Sequence, residues 1–196
     1  MVKIKVKKTM DQKIAVLGAG SWGTAMAIHL GRIGHKVHLW ARNKSLVETL
    51  LRDRMNDAYL PEIVLPANVN PMDSMKEALS ESDCVVVAVP SHGLRSVVEQ
   101  AAEFLAPRTI IVSATKGLEP KTMLRMSEVI EQEVNPSSAI AVLSGPSFAL
   151  EVAHELPTAV LVASSRTDMR DLIQQQFRSS YFRLYGSDDV IGVEIG

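Results

Sequence analysis

One stretch restricts the possible folds more than any other: Lys13-Ile14-Ala15-Val16-Leu17-Gly18-Ala19-Gly20-Ser21-Trp22-Gly23-Thr24-Ala25, a short apolar run, then Gly-x-Gly-x-x-Gly, then helix formers. It reads as strand, tight turn and helix. Gly18 takes the turn, Gly20 leaves backbone N–H groups open to an approaching diphosphate, and Gly23 lets the helix lie close on the strand. The helix continues through Ala25, Ile28, His29, Leu30 and Ile33 and directs its positive end at the same place. A glycine-rich turn holding no ligand has the same local signature, so the reading rests on context.

The context repeats the alternation. Residues 36–40 alternate toward a second strand, 84–89 form a continuous β-branched run suited to a strand buried on both faces, and 109–113, 139–143, 158–163 and 181–185 read as further strands. Between them lie helical stretches over 45–54 (Leu46, Leu50 and Leu51 inward), 73–80, a segment after Gly93 through Val97, Val98, Ala101, Phe104 and Leu105, then 148–153 and 168–177. Pro61, Pro66 and Pro71 mark a loop-like passage with a short strand near Val69. Strand-helix-strand order predicts an α/β fold: a doubly wound, mostly parallel Rossmann-type sheet with helices on both faces and right-handed crossovers. The expected division is a flexible basic N-terminal arm over 1–12, a nucleotide-binding domain over 13–188, and the first turns of a further helix over 189–196, behind Asp188 and Asp189.

Ligands of such a sheet lie outside the carboxyl ends of its strands, so the residues after each strand matter most. Behind 36–40 stands Ala41-Arg42-Asn43-Lys44, with no acid before Glu48. An acid there would hold the 2′-hydroxyl of NAD, whereas Arg42 suits the 2′-phosphate of NADP, with a solvated basic turn as the alternative. Tyr59 either covers the cofactor or packs. Three further strand ends are Pro90-Ser91-His92, Ala114-Thr115-Lys116-Gly117 and Ser144-Gly145-Pro146-Ser147-Phe148-Ala149. Ser147 is an N-cap candidate, or else part of an anion site with Lys116 as its cation. His92 is the one acid/base candidate in the chain and reads more readily as a turn histidine beside the cofactor.

Composition excludes other classes. Twenty-one bases against 22 acids leave a net charge of −1, which speaks against a nucleic-acid binder. With 46% hydrophobic residues, 196 residues hold an ample core. Cys84 stands alone inside an apolar run, as a core residue, and no metal-ligand cluster is evident. Neither a long apolar segment nor a signal-peptide h-region is present, which predicts a cytoplasmic protein without an integral membrane segment.

Eight segments in order resemble the bacterial-type NAD(P)-dependent glycerol-3-phosphate dehydrogenases: residues 18–25, 39–42, 59–61, 89–92, 115–119, 144–149, 156–159 and 191–196. The resemblance implies reduction of dihydroxyacetone phosphate to sn-glycerol 3-phosphate for glycerophospholipid synthesis, with NADP(H) as the usual cofactor and NAD(H) as the other. By matching positions it implies that Gly18, Gly20, Ser21, Trp22, Gly23, Arg42, Tyr59, Lys116 and Ala149 bind the dinucleotide, and that Lys116, Gly145 and Ser147 contact the phosphorylated substrate. A homodimer is a separate expectation for the partner of such a chain; the resemblance further implies a proton-transferring lysine just beyond Gly196 and an all-helical domain behind it. Neither of the last two lies within these 196 residues, so no catalytic residue is assigned here and little turnover is expected. The competing readings are another NADP-dependent keto- or hydroxy-acid reductase of the same architecture and a non-catalytic nucleotide sensor.

Overall fold

The apolar runs do pair into one sheet. A computed structural model describes residues 12–107 and 109–196, in the order β1 (Lys13–Leu17), α1 (Ser21–Arg32), β2 (Lys36–Trp40), α2 (Lys44–Asp53), β3 (Met55–Asn56), β4 (Leu60–Val64), β5 (Val69–Met72), α3 (Met75–Leu79), β6 (Cys84–Val87), α4 (Ser91–Ala102), β7 (Ile110–Ser113), α5 (Met126–Glu133), β8 (Ala139–Ser144), α6 (Ala149–Ala153), β9 (Thr158–Ala163), α7 (Thr167–Phe177), β10 (Phe182–Ser187) and α8 (Val190–Ile195). Eight strands run β10-β9-β8-β7-β6-β1-β2-β5, and β3 and β4 form a separate antiparallel pair. Ile14 and Val16 enter one core layer with Met26, Ile28, Leu39 and Phe177, while Ala15 and Leu17 enter the other with Leu94, Val98, Ile111 and Ile130. Both faces are therefore covered, as continuous β-branched strands require.

Every pairing in the large sheet is parallel except β8 with β9. After β8 the chain passes through α6 without crossing back over the sheet and enters β9 from the end at which β8 finished.

Several expectations need correction. The passage after α2 is the hairpin β3–β4, in which Pro61 sits at an exposed position and Glu62 at φ 65° interrupts the alternation, leaving Leu60 and Ile63 buried. Leu51 is exposed, and Val47 with Leu50 forms the inward face of α2. Helix α5, which no periodicity signalled, is held by Arg125, whose side chain and backbone both bond Glu128. Of the N-terminal arm, residues 1–11 lie outside the described residues, and Gln12 is already packed, its carbonyl accepting from Lys36 N at 3.0 Å. Helix α8 forms as expected, its N-terminus capped by Asp189 Oδ1 on Gly192 N at 2.8 Å and its Glu194 carboxylate sunk between Arg125 and Ser127.

Candidate functional site

The turn between β1 and α1 is built from the three glycines, each for the reason its position suggests. Gly18 holds φ +113°, and a Cβ on it would lie 2.5 Å from the Ala88 carbonyl oxygen behind β6. At Gly23 a Cβ would lie 1.8 Å from the Gly18 carbonyl oxygen, so α1 and the turn touch backbone to backbone. Around Gly20 nothing stands within 4 Å of that position. Its backbone therefore faces open space at the positive end of α1.

That space is a cleft of about 350 Å³ beyond β1, β2 and β6. Gly18 and Gly20 form its floor, Arg42 and Asn43 the wall behind β2, Tyr59 another side, and His92 on the first turn of α4 the last. Arg42 is exposed and, among the described residues, has no carboxylate or carbonyl partner. Asn43 turns the chain away beneath it by capping α2, its Oδ1 accepting from Leu46 N at 3.2 Å.

The hairpin that carries Tyr59 is laced to the glycine turn from two sides. Ser21 Oγ donates to the Tyr59 carbonyl at 2.5 Å, and buried Asn56 donates through Nδ2 to the Ala19 carbonyl at 3.0 Å and to Thr24 Oγ1 at 2.7 Å. Sequence reasoning assigned Asn56 no role in the site, because a polar residue before a turn carries no local mark of burial. Asn56→Ala is expected to cost about 2 kcal/mol, since it leaves the Ala19 carbonyl unpaired. Urea denaturation measures that loss, and calorimetry with nucleotide shows whether the displaced hairpin weakens binding too.

The remaining candidates gather at the neighbouring strand ends. Exposed Lys116, behind β7, donates from Nζ to the Gly145 carbonyl behind β8 at 2.9 Å. Ser147 Oγ reaches the same carbonyl at 3.4 Å and does not cap α6, whose N-cap is Phe148 without a side-chain bond. Gly145, at φ +146°, presses against β9, where a Cβ would meet Val160 Cα at 3.2 Å. Thr115 Oγ1 joins these ends to the cleft, donating to the Val89 carbonyl at 2.9 Å. Ala149 opens α6, which packs on α1. Half-buried Trp22 packs on the same core layer, and its Nε1 is buried without a hydrogen-bond partner. Neither Trp22 nor Lys116 lines the cleft itself.

Gly196, behind which the family resemblance implies a proton-transferring lysine, closes α8 as its C-cap, its N–H donating to the Gly192 carbonyl at 2.9 Å. It is exposed, lies outside the lining of the cleft and, being glycine, offers no acid or base of its own.

A brace that sequence reasoning missed holds the Lys116 loop. Arg95 on α4 grips Glu119 through two bonds, Nε to Oε1 at 2.8 Å and Nη2 to Oε2 at 2.9 Å, and also bonds Glu133 on α5. The bidentate guanidinium holds the Glu119 carboxyl down to about 2. Cys84 takes no part: it is buried in β6, and burial pushes its thiol up, out of the reactive range. No described helix is long and apolar enough to cross a membrane.

Comparison with known proteins agrees with this geometry. The glycerol-3-phosphate dehydrogenase (NAD(P)+) of Koribacter versatilis is 46% identical over 187 residues, covering 94% of this chain and 56% of that protein. Its counterpart from Thermoanaerobacter sp. is 45% identical over 184 residues, covering 94% and 55%. The crystal structure of glycerol-3-phosphate dehydrogenase from Coxiella burnetii superposes with a TM-score of 0.90 at 36% identity, covering 95% of this chain and 57% of that one. The chain thus spans little more than half the length of the relatives it matches. Residues 13–170 match the model of the NAD-dependent glycerol-3-phosphate dehydrogenase N-terminus, and the chain belongs to that family.

Proposed function

We propose that this chain is the dinucleotide-binding part of an enzyme that interconverts dihydroxyacetone phosphate and sn-glycerol 3-phosphate with NADP(H), or less favourably NAD(H). The observation that carries the reading is the open backbone at Gly20 beside unpaired Arg42, in one cleft at the strand ends. Gly18, Gly20 and Gly23 shape the diphosphate seat, Arg42 faces the ribose phosphate, and Ser21, Trp22, Tyr59 and Ala149 complete the surroundings. Lys116 has two N–H donors beyond the one on the Gly145 carbonyl, and these, with Gly145 and Ser147, receive the substrate phosphate or carbonyl oxygen. When bound, the nicotinamide supplies the hydride. Charge then grows on the carbonyl oxygen, and a cation such as Lys116 at a neighbouring strand end stabilises it. None of the 196 residues is assigned as proton donor; in this reading that role falls to a lysine beyond Gly196, and His92 is a wall of the nucleotide cleft. A cytoplasmic location and a homodimer belong to the same proposal.

Calorimetry with NADPH and NADH tests it. The chain is expected to bind NADPH more tightly. Arg42→Ala is expected to cost NADPH about 2 kcal/mol, roughly 30-fold in affinity, and to leave NADH unchanged. Equal weak binding of both nucleotides by the unaltered chain would overturn the reading. A preference that survives the substitution would remove Arg42 from it.

A further inference from the structure

A second cleft, of about 410 Å³, opens along β10, the edge strand separated from β1 by β9, β8, β7 and β6. It is lined by the end of α7, the turn into β10, and β10 itself, with Arg178 and Arg183 as its charged residues and no carboxylate. We infer that it binds a phosphomonoester, at a site separate from the dinucleotide cleft.

The charge pattern is the first support. Arg32, Arg52, Arg95, Arg125, Arg166 and Arg170 each pair with an acid, and Arg54 is spent on the carbonyls of Leu65, Pro66 and Val69. Among the described residues, the arginines left without any such partner are Arg42, in the first cleft, and Arg178 and Arg183, together in the second. Guanidinium groups brought together without a counter-charge repel one another, and an anion relieves that repulsion. The planar fork of arginine matches phosphate oxygens two at a time.

The strand edge is the second support. Phe182 bonds outward, its N–H to Ser179 Oγ at 3.0 Å and its carbonyl from Ser179 N at 2.9 Å. By the two-residue period of a strand, the Leu184 backbone points the same way. Its carbonyl is occupied by Gln174 Nε2 at 2.8 Å, so at Leu184 this edge still offers the N–H, a donor. With the Phe182 and Leu184 carbonyls both occupied, this part of the edge resists an added peptide strand, which needs donors and acceptors in alternation, and leaves a donor for an anion. Hydroxyls of Ser180 and Tyr185 add further donors, and the volume leaves room for an organic group beside the phosphate.

Residue-resolved NMR of the 15N-labelled chain, titrated with phenyl phosphate, with inorganic phosphate, and with sodium chloride at matched ionic strength, tests the inference. The amides of residues 178–185 are expected to shift saturably with phenyl phosphate, which binds at least as tightly as inorganic phosphate, and to stay nearly still with chloride. The double variant Arg178→Gln, Arg183→Gln is expected to lose at least ~10-fold in affinity. Both side chains are exposed, so its melting temperature should match the parent's. Shifts no larger than those from chloride, or a double variant that titrates like the parent, would overturn the proposal. Because the glycine-turn amides report separately, the outcome is independent of whether nucleotide binds there.

Discussion

Replacing Gly23 with alanine is expected to remove about 3 kcal/mol of stability and all nucleotide binding, whereas the same change at Gly20 removes the binding alone. The two glycines stand three residues apart in one turn, but their surroundings differ. A Cβ at Gly23 would lie 1.8 Å from the Gly18 carbonyl oxygen, which is backbone and has no rotamer to escape into. Gly18 is itself pinned, its N–H donating to the Trp40 carbonyl at 3.0 Å. Relief therefore requires α1 to move off the sheet. Alanine gains up to about 1 kcal/mol in helix propensity, and overpacking of about 1–3 kcal/mol is exceeded here because the contact falls so far inside van der Waals range. A net loss of about 3 kcal/mol corresponds to roughly 10 °C in melting temperature for a chain of this size. At Gly20 the backbone is extended at φ −74°, which alanine adopts freely, and the new methyl meets open space. Its stability should stay within about 1 kcal/mol of the parent, because the weaker helix cap and the stiffer unfolded chain nearly offset. The methyl projects where the diphosphate would lie. Thermal melts and NADPH calorimetry on the two variants give the answer, and a Gly23→Ala chain as stable as the parent would contradict the packing.

Stability is also expected to fall by about 3 kcal/mol as the pH drops from 6.5 to 4, through one side chain, His29. Its ring is buried where α1 meets the end of α7, with Nε2 2.6 Å from the Phe177 carbonyl and Nδ1 2.9 Å from the Tyr181 hydroxyl. A carbonyl only accepts, so Nε2 carries the proton and Nδ1 accepts from Tyr181, which makes the folded ring neutral. Burial is the main cause that lowers its pKa to about 4; the Phe177 carbonyl opposes this, and the neighbouring His35 and Arg32 lower it further. Above pH 6.5 the ring is neutral in both states and contributes nothing. Between 6.5 and 4 the unfolded chain takes up a proton that the folded chain refuses, so stability is lost across that window and no further below it. At about 1.36 kcal/mol per pH unit the window is worth about 3 kcal/mol. Glu119, held down to about 2 from its ordinary 4.5, begins to lose its contribution below about 4.5 and so adds to the fall only at the acid end of the window. Urea denaturation across the window is the measurement, beside His29→Gln, whose amide can serve the same two partners without titrating there. Flattening in the variant is expected; parallel curves would count against the assignment.

How far these residues were legible in advance depended on how far apart their causes lie. Gly18, Gly20 and Gly23 act within one turn, so their spacing announced their tasks. The strands of the large sheet were equally plain, because a β-branched run is a local property with a local period, whereas the β3–β4 hairpin, broken by Pro61, was not. Asn56 was missed because its partners, Ala19 and Thr24, lie 37 and 32 residues away, and Arg95 because it works on Glu119 and Glu133, 24 and 38 residues away. Ser147 had the residue type of a cap, yet the turn that Gly145 makes against β9 leaves Phe148 in that position.

The order of residues by itself thus settled a doubly wound sheet with a glycine turn at its first crossover, since strand, helix and turn preferences are decided by sterics between near neighbours. Tertiary structure alone decided which way β9 runs, that Lys116 leans on Gly145, that a hairpin walls the cleft, and that two arginines line one cleft at the far edge. Those outcomes follow from which strands become neighbours. Sheet order is set by burial summed over the whole chain, and no short window of residues contains that sum.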